Sequence, residues 1–163
     1  MASPTIESIR VGRLTVPLKR AWGPDVRSIT VLPVEVRCDD GVTGYGFSWT
    51  PTVGAGAVQA MIQEDLASWW VGRLAWPSLW YDAWAHVHEA GGGGITTIAL
   101  AGIDLALWDA VARRAQTNLP GMLGRRHESL PVYGSGLNLH YTVDELVEQA
   151  RRWVDRGYQA VKV

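Results

Sequence analysis

The sequence predicts an α+β domain over residues 1–125, a three-stranded antiparallel meander plus helices, followed by the first β–α–β of a parallel α/β domain over residues 126–163. Three observations predict this. Period-two alternation with turn residues between the runs fills the first part. Helical spacing then takes over. The last part changes rhythm again, to strand, helix, strand.

The elements follow in chain order. "TIESIRVGRLTVPL" alternates apolar and polar residues and reads as one strand, ended by Pro17. "KRAWGPDVRS" carries the turn chemistry Gly23-Pro24-Asp25 and reads as a loop with Trp22 near its tip. "ITVLPVEVRCDDGVTGYGFSW" reads as a hairpin. Val34, Val36 and Cys38 alternate with Glu35 and Arg37, and Asp39-Asp40-Gly41 makes the turn. Pro33 cannot donate to a ladder and is expected at a strand start or on an edge.

Helices come next. Val58, Met61, Ile62, Leu66 and Trp69 keep helical spacing in "AVQAMIQEDLASWW". "PSLWYDAWAHVHEA" opens on proline and serine, with Trp80, Trp84 and Val87 recurring. Gly91 to Gly94 break the chain and read as a connector: the Lys-Ser/Thr of a phosphate loop and the spacing of a dinucleotide fingerprint are both missing. "ITTIALAGIDLALWDAVARRAQ" is the longest helical pattern, and Pro120 prevents its continuation. On it Asp104 and Trp108 stand four apart on one face, with a structural role expected. His86 and His88 are two apart on a helix, the wrong spacing for a ligand pair. "LPVYGSG" reads as a short strand. In "YTVDELVEQARRWVDRG" Thr142 and Glu145 form a capping box, and one apolar stripe runs from Val143 through Trp153 to Val154. Gly157 is placed for the stop, and "YQAVKV" is a second apolar strand, parallel to the first. A lone βαβ unit leaves open sheet edges, so residues 126–163 are expected to begin a larger parallel domain.

Composition bounds the function. Of the 163 residues 47% are hydrophobic, enough for a core, and 15 basic against 16 acidic residues leave a formal charge of -1. That balance gives no electrostatic reason for nucleic acid or an anionic membrane as partner. One cysteine, Cys38, excludes an intrachain disulfide and suits a reducing compartment, so a cytoplasmic location is expected. "MASPTIESIRVG" lacks the basic segment and apolar core of a signal peptide, and no uninterrupted apolar run is long enough to span a bilayer.

"GVTGYG" after the meander, "AGIDLALWDAVARRAQTNLPGMLG" on the longest helix, "LPVYGSG" and "GYQAVKV" stand in that order. The ordered set resembles the enolase superfamily, specifically the mandelate racemase/muconate lactonizing enzyme group. The resemblance implies a capping domain followed by a modified TIM barrel, here truncated after its first strand, first helix and second strand. It implies a shared step in which a base removes the proton α to a carboxylate and Mg²⁺ stabilises the enediolate. Mg²⁺ is thus the cofactor expected of the intact enzyme, with acidic ligands on later strands and no metal ligand in this chain.

The resemblance also assigns residues. Lys162 matches the first lysine of a Lys-x-Lys at the end of the second barrel strand. The second, usually the base, would fall just beyond Val163. Strand residues two apart share a face, so both ammonium groups would point into the site and disfavour each other's protonation. Ser135 matches a first-strand position that reaches the substrate carboxylate. Lys19 to Asp25 and Phe47 to Thr52 match the specificity loops, with Trp22 and Trp49 as pocket walls. Many relatives have an acid where this chain has Phe47, which implies a less polar lid. The expected partner is a small carboxylate substrate, and the expected assembly is a homo-oligomer without nucleic acid or membrane. The expected activity is that of a racemase or an acid-sugar or hydroxy-acid dehydratase, with a muconate-type cycloisomerase as the alternative. The 163-residue chain alone is expected to be inactive. A second class of reading makes it a non-catalytic structural or interaction module.

Overall fold

The computed structural model describes residues 3–136 and 140–162. Val163, the last residue of the expected final strand, lies outside them. The chain forms two compact units. One comprises the described residues of Met1–Pro17 together with Ser28–Gly124, the other those of Leu18–Arg27 together with Arg125–Val163.

The sheet has four strands, not three: β1 (Ile6–Val11), β2 (Leu14–Trp22), β3 (Val26–Cys38) and β4 (Thr43–Thr50). The order is β1-β3-β2, with β4 also paired to β3. The first alternating run is thus two strands, broken at Gly12-Arg13. What reads as a loop around Trp22 is strand on both sides of the turn at Gly23-Pro24-Asp25. Pro17 does not end a strand. It sits inside β2, which lies at one end of the strand order, where a missing donor is tolerated.

Pro33 lies in the middle of β3, paired with Phe47 of β4. Its carbonyl accepts the Gly12 N–H at 2.9 Å. A strand residue's own N–H and C=O point to the same side, so the donor that Pro33 lacks would face the Gly12-Arg13 break, where the ladder is already interrupted. Downstream, Leu32, Val34, Val36 and Cys38 all turn into the core. Cys38 is a free buried thiol, and burial pushes its pKa up, as befits a small core residue.

Against this face lies α4 (Ile95–Arg114), ten of whose residues are buried. It has the length and apolar composition of a membrane span, more than the charge-interrupted sequence suggests. Its buried residues, Leu100, Ile103 and Leu107 among them, put that apolar surface into the core. Helix and strand meet through glycines. A Cβ on Gly44 would stand 2.0 Å from the Ala106 carbonyl oxygen, and one on Gly46 would stand 2.2 Å from that of Gly102. The glycines of "GVTGYG" are therefore spacers that let a strand touch helix backbone. Ser48 extends the contact by donating to the Ile98 carbonyl at 2.5 Å.

Residues 55–70 are helical throughout, as α1 (Ala55–Ala60), a π-helical turn (Met61–Leu66) and α2 (Ala67–Trp70). Besides Ala55, the buried positions are Val58, Ile62, Leu66 and Trp70, the last four at a spacing of four. A spacing of four drifts by about 40° per step on an α-helix. The wider π turn takes up that drift and holds the stripe on the core. After a turn at Pro77–Leu79 comes α3 (Trp80–Val87), which buries Ala83 and Val87. The rings of His86 and His88 lie beside those of Trp69 and Trp84, 5.4 and 6.0 Å between centroids. The short α5 (Leu119–Met122) is capped by Asn118, whose side chain accepts the Gly121 N–H.

The second unit holds β5 (Gly134–Ser135), α6 (Val143–Asp155) and β6 (Val161–Lys162), with β5 and β6 parallel. The capping box closes α6 as its sequence predicts. Thr142 accepts the Glu145 N–H, and the Glu145 carboxylate accepts the Thr142 N–H at 2.8 Å. Gly157, at φ +86°, ends the helix, and the Tyr158 N–H returns to the Trp153 carbonyl.

Candidate active site

Two glycines decide which way Ser135 points. A Cβ on Gly134 would stand 2.3 Å from the Trp153 ring, and one on Gly136 would stand 2.2 Å from the same indole. Both positions therefore face α6, with the indole lying against bare backbone. Side chains alternate along a strand, so Ser135, between them, projects to the opposite face. Lys162 is the parallel-register partner of Ser135 and shares that face. Both are exposed. The hydroxyl and the ammonium thus stand side by side on adjacent strands. Ser135 sits at the last position of β5, the end where barrel enzymes place their chemistry. A cavity of about 610 Å³ between Ser129–Val132 and Arg156–Gln159 lies at the other end, where the strands begin.

The β2–β3 tip belongs to the same unit. Arg20 forms an ion pair with Glu145, and its guanidinium lies 3.5 Å from the centre of the Tyr141 ring. His140 Nε2 is 3.1 Å from the Ala21 carbonyl oxygen. Glu145 therefore holds the start of α6 and the hairpin together. The Thr142 N–H, and after it Arg20, keep its carboxyl below the usual range. Trp22 sits at this tip, 50% exposed. Trp49 is in the first unit, on β4 opposite Val31. The structure thus brings Ser135 and Lys162 together and ties the Trp22 hairpin to the segment after β5, while Trp49 belongs to the other unit.

The sequence reading missed the glycine bracket and the Arg20–Tyr141–Glu145 cluster. The first had a signal, Gly-x-Gly in a strand followed by Trp153 on a helix stripe. The second had none, because its partners are 125 residues apart.

A family model described as "Mandelate racemase / muconate lactonizing enzyme, N-terminal domain" matches residues 5–124. The chain belongs to the mandelate racemase/muconate lactonizing enzyme family of the enolase superfamily. Among its relatives is the 3,6-anhydro-alpha-L-galactonate cycloisomerase of Streptomyces coelicolor, 32% identical over 97% of this chain and 45% of that protein. A magnesium-bound racemase from Streptomyces coelicolor A3(2) superposes with a TM-score of 0.90 at 31% identity, over 96% of this chain and 45% of that one. An L-talarate dehydratase from Polaromonas sp. JS666, complexed with Mg and L-glucarate, gives 0.78 at 29%, over 94% and 42%. The relatives include racemases, cycloisomerases and acid-sugar dehydratases, and this chain spans a third to just under half of their length, 33% to 45%.

Magnesium in those relatives raises the question of fit. Among the described residues no three His, Cys, Asp or Glu side chains gather where they could hold a metal ion. The described residues therefore do not by themselves form a magnesium cage.

Proposed function

We propose that this chain supplies the capping domain, residues 1–125, and the opening strand, helix and strand of the barrel, residues 126–163, of a Mg²⁺-dependent enzyme. That enzyme abstracts the proton α to a carboxylate in a racemase or an acid-sugar or hydroxy-acid dehydratase reaction. The observation that carries the reading is the pairing of Ser135 with Lys162 on adjacent parallel strands, on the face turned away from α6. There the Ser135 hydroxyl donates to a substrate carboxylate oxygen, and the Lys162 ammonium holds positive charge beside it. Trp22 and Trp49 are the substrate contacts that the family resemblance assigns. The α6 stripe also supports an unfinished layer, since Val143, Val147 and Val154 remain 75%, 43% and 60% exposed. The intact enzyme is a cytoplasmic homo-oligomer.

A cycloisomerase acting on a sugar-acid ring is the second reading. It is favoured by the 32% identity to a cycloisomerase over nearly the whole of this chain. A purely structural role, in which the edges of β5 and β6 pair with another chain, is the third.

One assay separates them. Acid sugars, hydroxy acids and their lactones are incubated in deuterated buffer with Mg²⁺, and exchange at the α-carbon and the products are followed by NMR. The 163-residue chain is expected to be inert. The protein isolated from its source is expected to have about twice this chain's mass and to exchange one class of acid. Exchange by the short chain that vanishes in Lys162→Ala would refute its inertness. A source protein silent on every acid would favour the structural role.

A further inference from the structure

The first unit carries an aromatic pocket of about 480 Å³ that no role yet explains. Its walls are Trp76, Trp80, Tyr81 and Trp108, and Asp104 opens into it. Asp104 and Trp108 lie one turn apart on α4. Trp76 precedes the turn that leads into α3, and Trp80 and Tyr81 begin that helix, their rings meeting edge to face at 5.3 Å. Residues 76–81 and α4 thus meet around one carboxylate.

Asp104 forms no hydrogen bond or ion pair among the described residues. The contrast with its neighbour on the same helix is informative. Asp109 accepts the Tyr45 N–H at 2.8 Å and pairs with Arg113 at 2.6 Å. One acid of "IDLALWD" thus has structural work and the other has none. Partial burial pushes the Asp104 carboxyl above its usual range. A half-buried carboxylate in an aromatic-lined pocket is a poor packing element, and a cation answers both features at once.

We propose that this pocket binds the guanidinium of an arginine side chain presented by a partner protein. A guanidinium offers flat faces that stack on indoles and an edge that forks onto one carboxylate. An ammonium is more strongly hydrated and would find one acid and the Ser78 hydroxyl for its three donors. A metal ion would find too few ligands. The pocket is open enough for a side chain that arrives with its backbone, since Tyr81 is 77% and Trp76 50% exposed.

The test is a titration of the 163-residue chain, with its tryptophan indoles labelled with ¹⁵N, by the capped peptide acetyl-Gly-Arg-Gly-amide. Saturable shifts of the Trp76, Trp80 and Trp108 indole signals are expected. Asp104→Asn and Tyr81→Ala should each weaken binding by about fivefold or more, and so should lysine in place of arginine in the peptide. Tyr81→Ala alters an exposed ring, so it reports on the aromatic wall independently of the carboxylate. Absence of saturation, indifference to both substitutions, or equal binding of the lysine peptide overturns the proposal. Tighter binding of free L-arginine than of the capped peptide overturns it too, by pointing to a small molecule as the ligand.

Discussion

Gly44, Gly46 and Gly102 are the residues on which the first unit's helix-to-strand contact closes. The atoms a new Cβ would meet at Gly46 are the Gly102 carbonyl oxygen and the Ala106 nitrogen, at 2.2 and 2.6 Å, both helix backbone. Backbone cannot rotate aside, so Gly46→Ala must push α4 off the sheet. A loss of about 1–3 kcal/mol or more is expected, read as a lower midpoint in urea at unchanged slope. Asp104 acts in the opposite sense. Its folded-state carboxyl titrates above the unfolded value, so its contribution favours the fold below the unfolded pKa and is lost as pH rises through the folded pKa. Asp104→Asn should therefore raise the melting temperature near pH 7, and the gain should shrink as the buffer is acidified into the carboxylate range. A gain that stays constant with pH would remove burial of the charge as its cause.

At the scale of elements, α6 depends on its first turn. Thr142 and Glu145 satisfy each other's backbone donors, and Glu145 also receives Arg20. Thr142→Ala should lower helix stability by about 1 kcal/mol. Glu145 titrates below its unfolded value, so its support is present above the unfolded pKa and fades as pH falls through the folded one. Acid should therefore release the start of α6 and the β2–β3 tip in the same pH range, observable as faster amide exchange in both segments. A tip that loosens without the helix would break that coupling. Local chemistry made α6 legible in the sequence, because a capping box, a stripe and a terminal glycine all lie within sixteen residues. The same sequence hid the split of the first alternating run. Gly12 breaks the ladder only because Pro33, 21 positions on, stands opposite it, and no local pattern carries that pairing.

At the scale of the whole molecule, the legible part was the family. Ordered motifs survive without any knowledge of contacts, and Ser135 could be singled out by its place in "YGSG" even though its orientation depends on Trp153. Illegible were the groups whose neighbours come from distant segments, the Arg20 cluster and the aromatic pocket alike. The division into units crosses chain order, and that gives a prediction. A chain ending at Gly124 should keep a cooperative melt, because the core of the first unit lies within it. A peptide of residues 125–163 should show little helix by circular dichroism, because it lacks Arg20 and the Ala21 carbonyl. Full helicity of that peptide would make the hairpin dispensable.

Arg20 meets Glu145 across 125 positions. At about 5–20 residues per second on a ribosome, the hairpin leaves the exit tunnel several seconds before its counterpart exists. Through that interval Arg20 has neither its acid nor the Tyr141 ring, and a nascent chain offers the hairpin to chaperones or to neighbouring polysomes. Stalling after the hairpin has emerged but before Glu145 is made should therefore leave a protease-sensitive tip, and the sensitivity should disappear in the released chain.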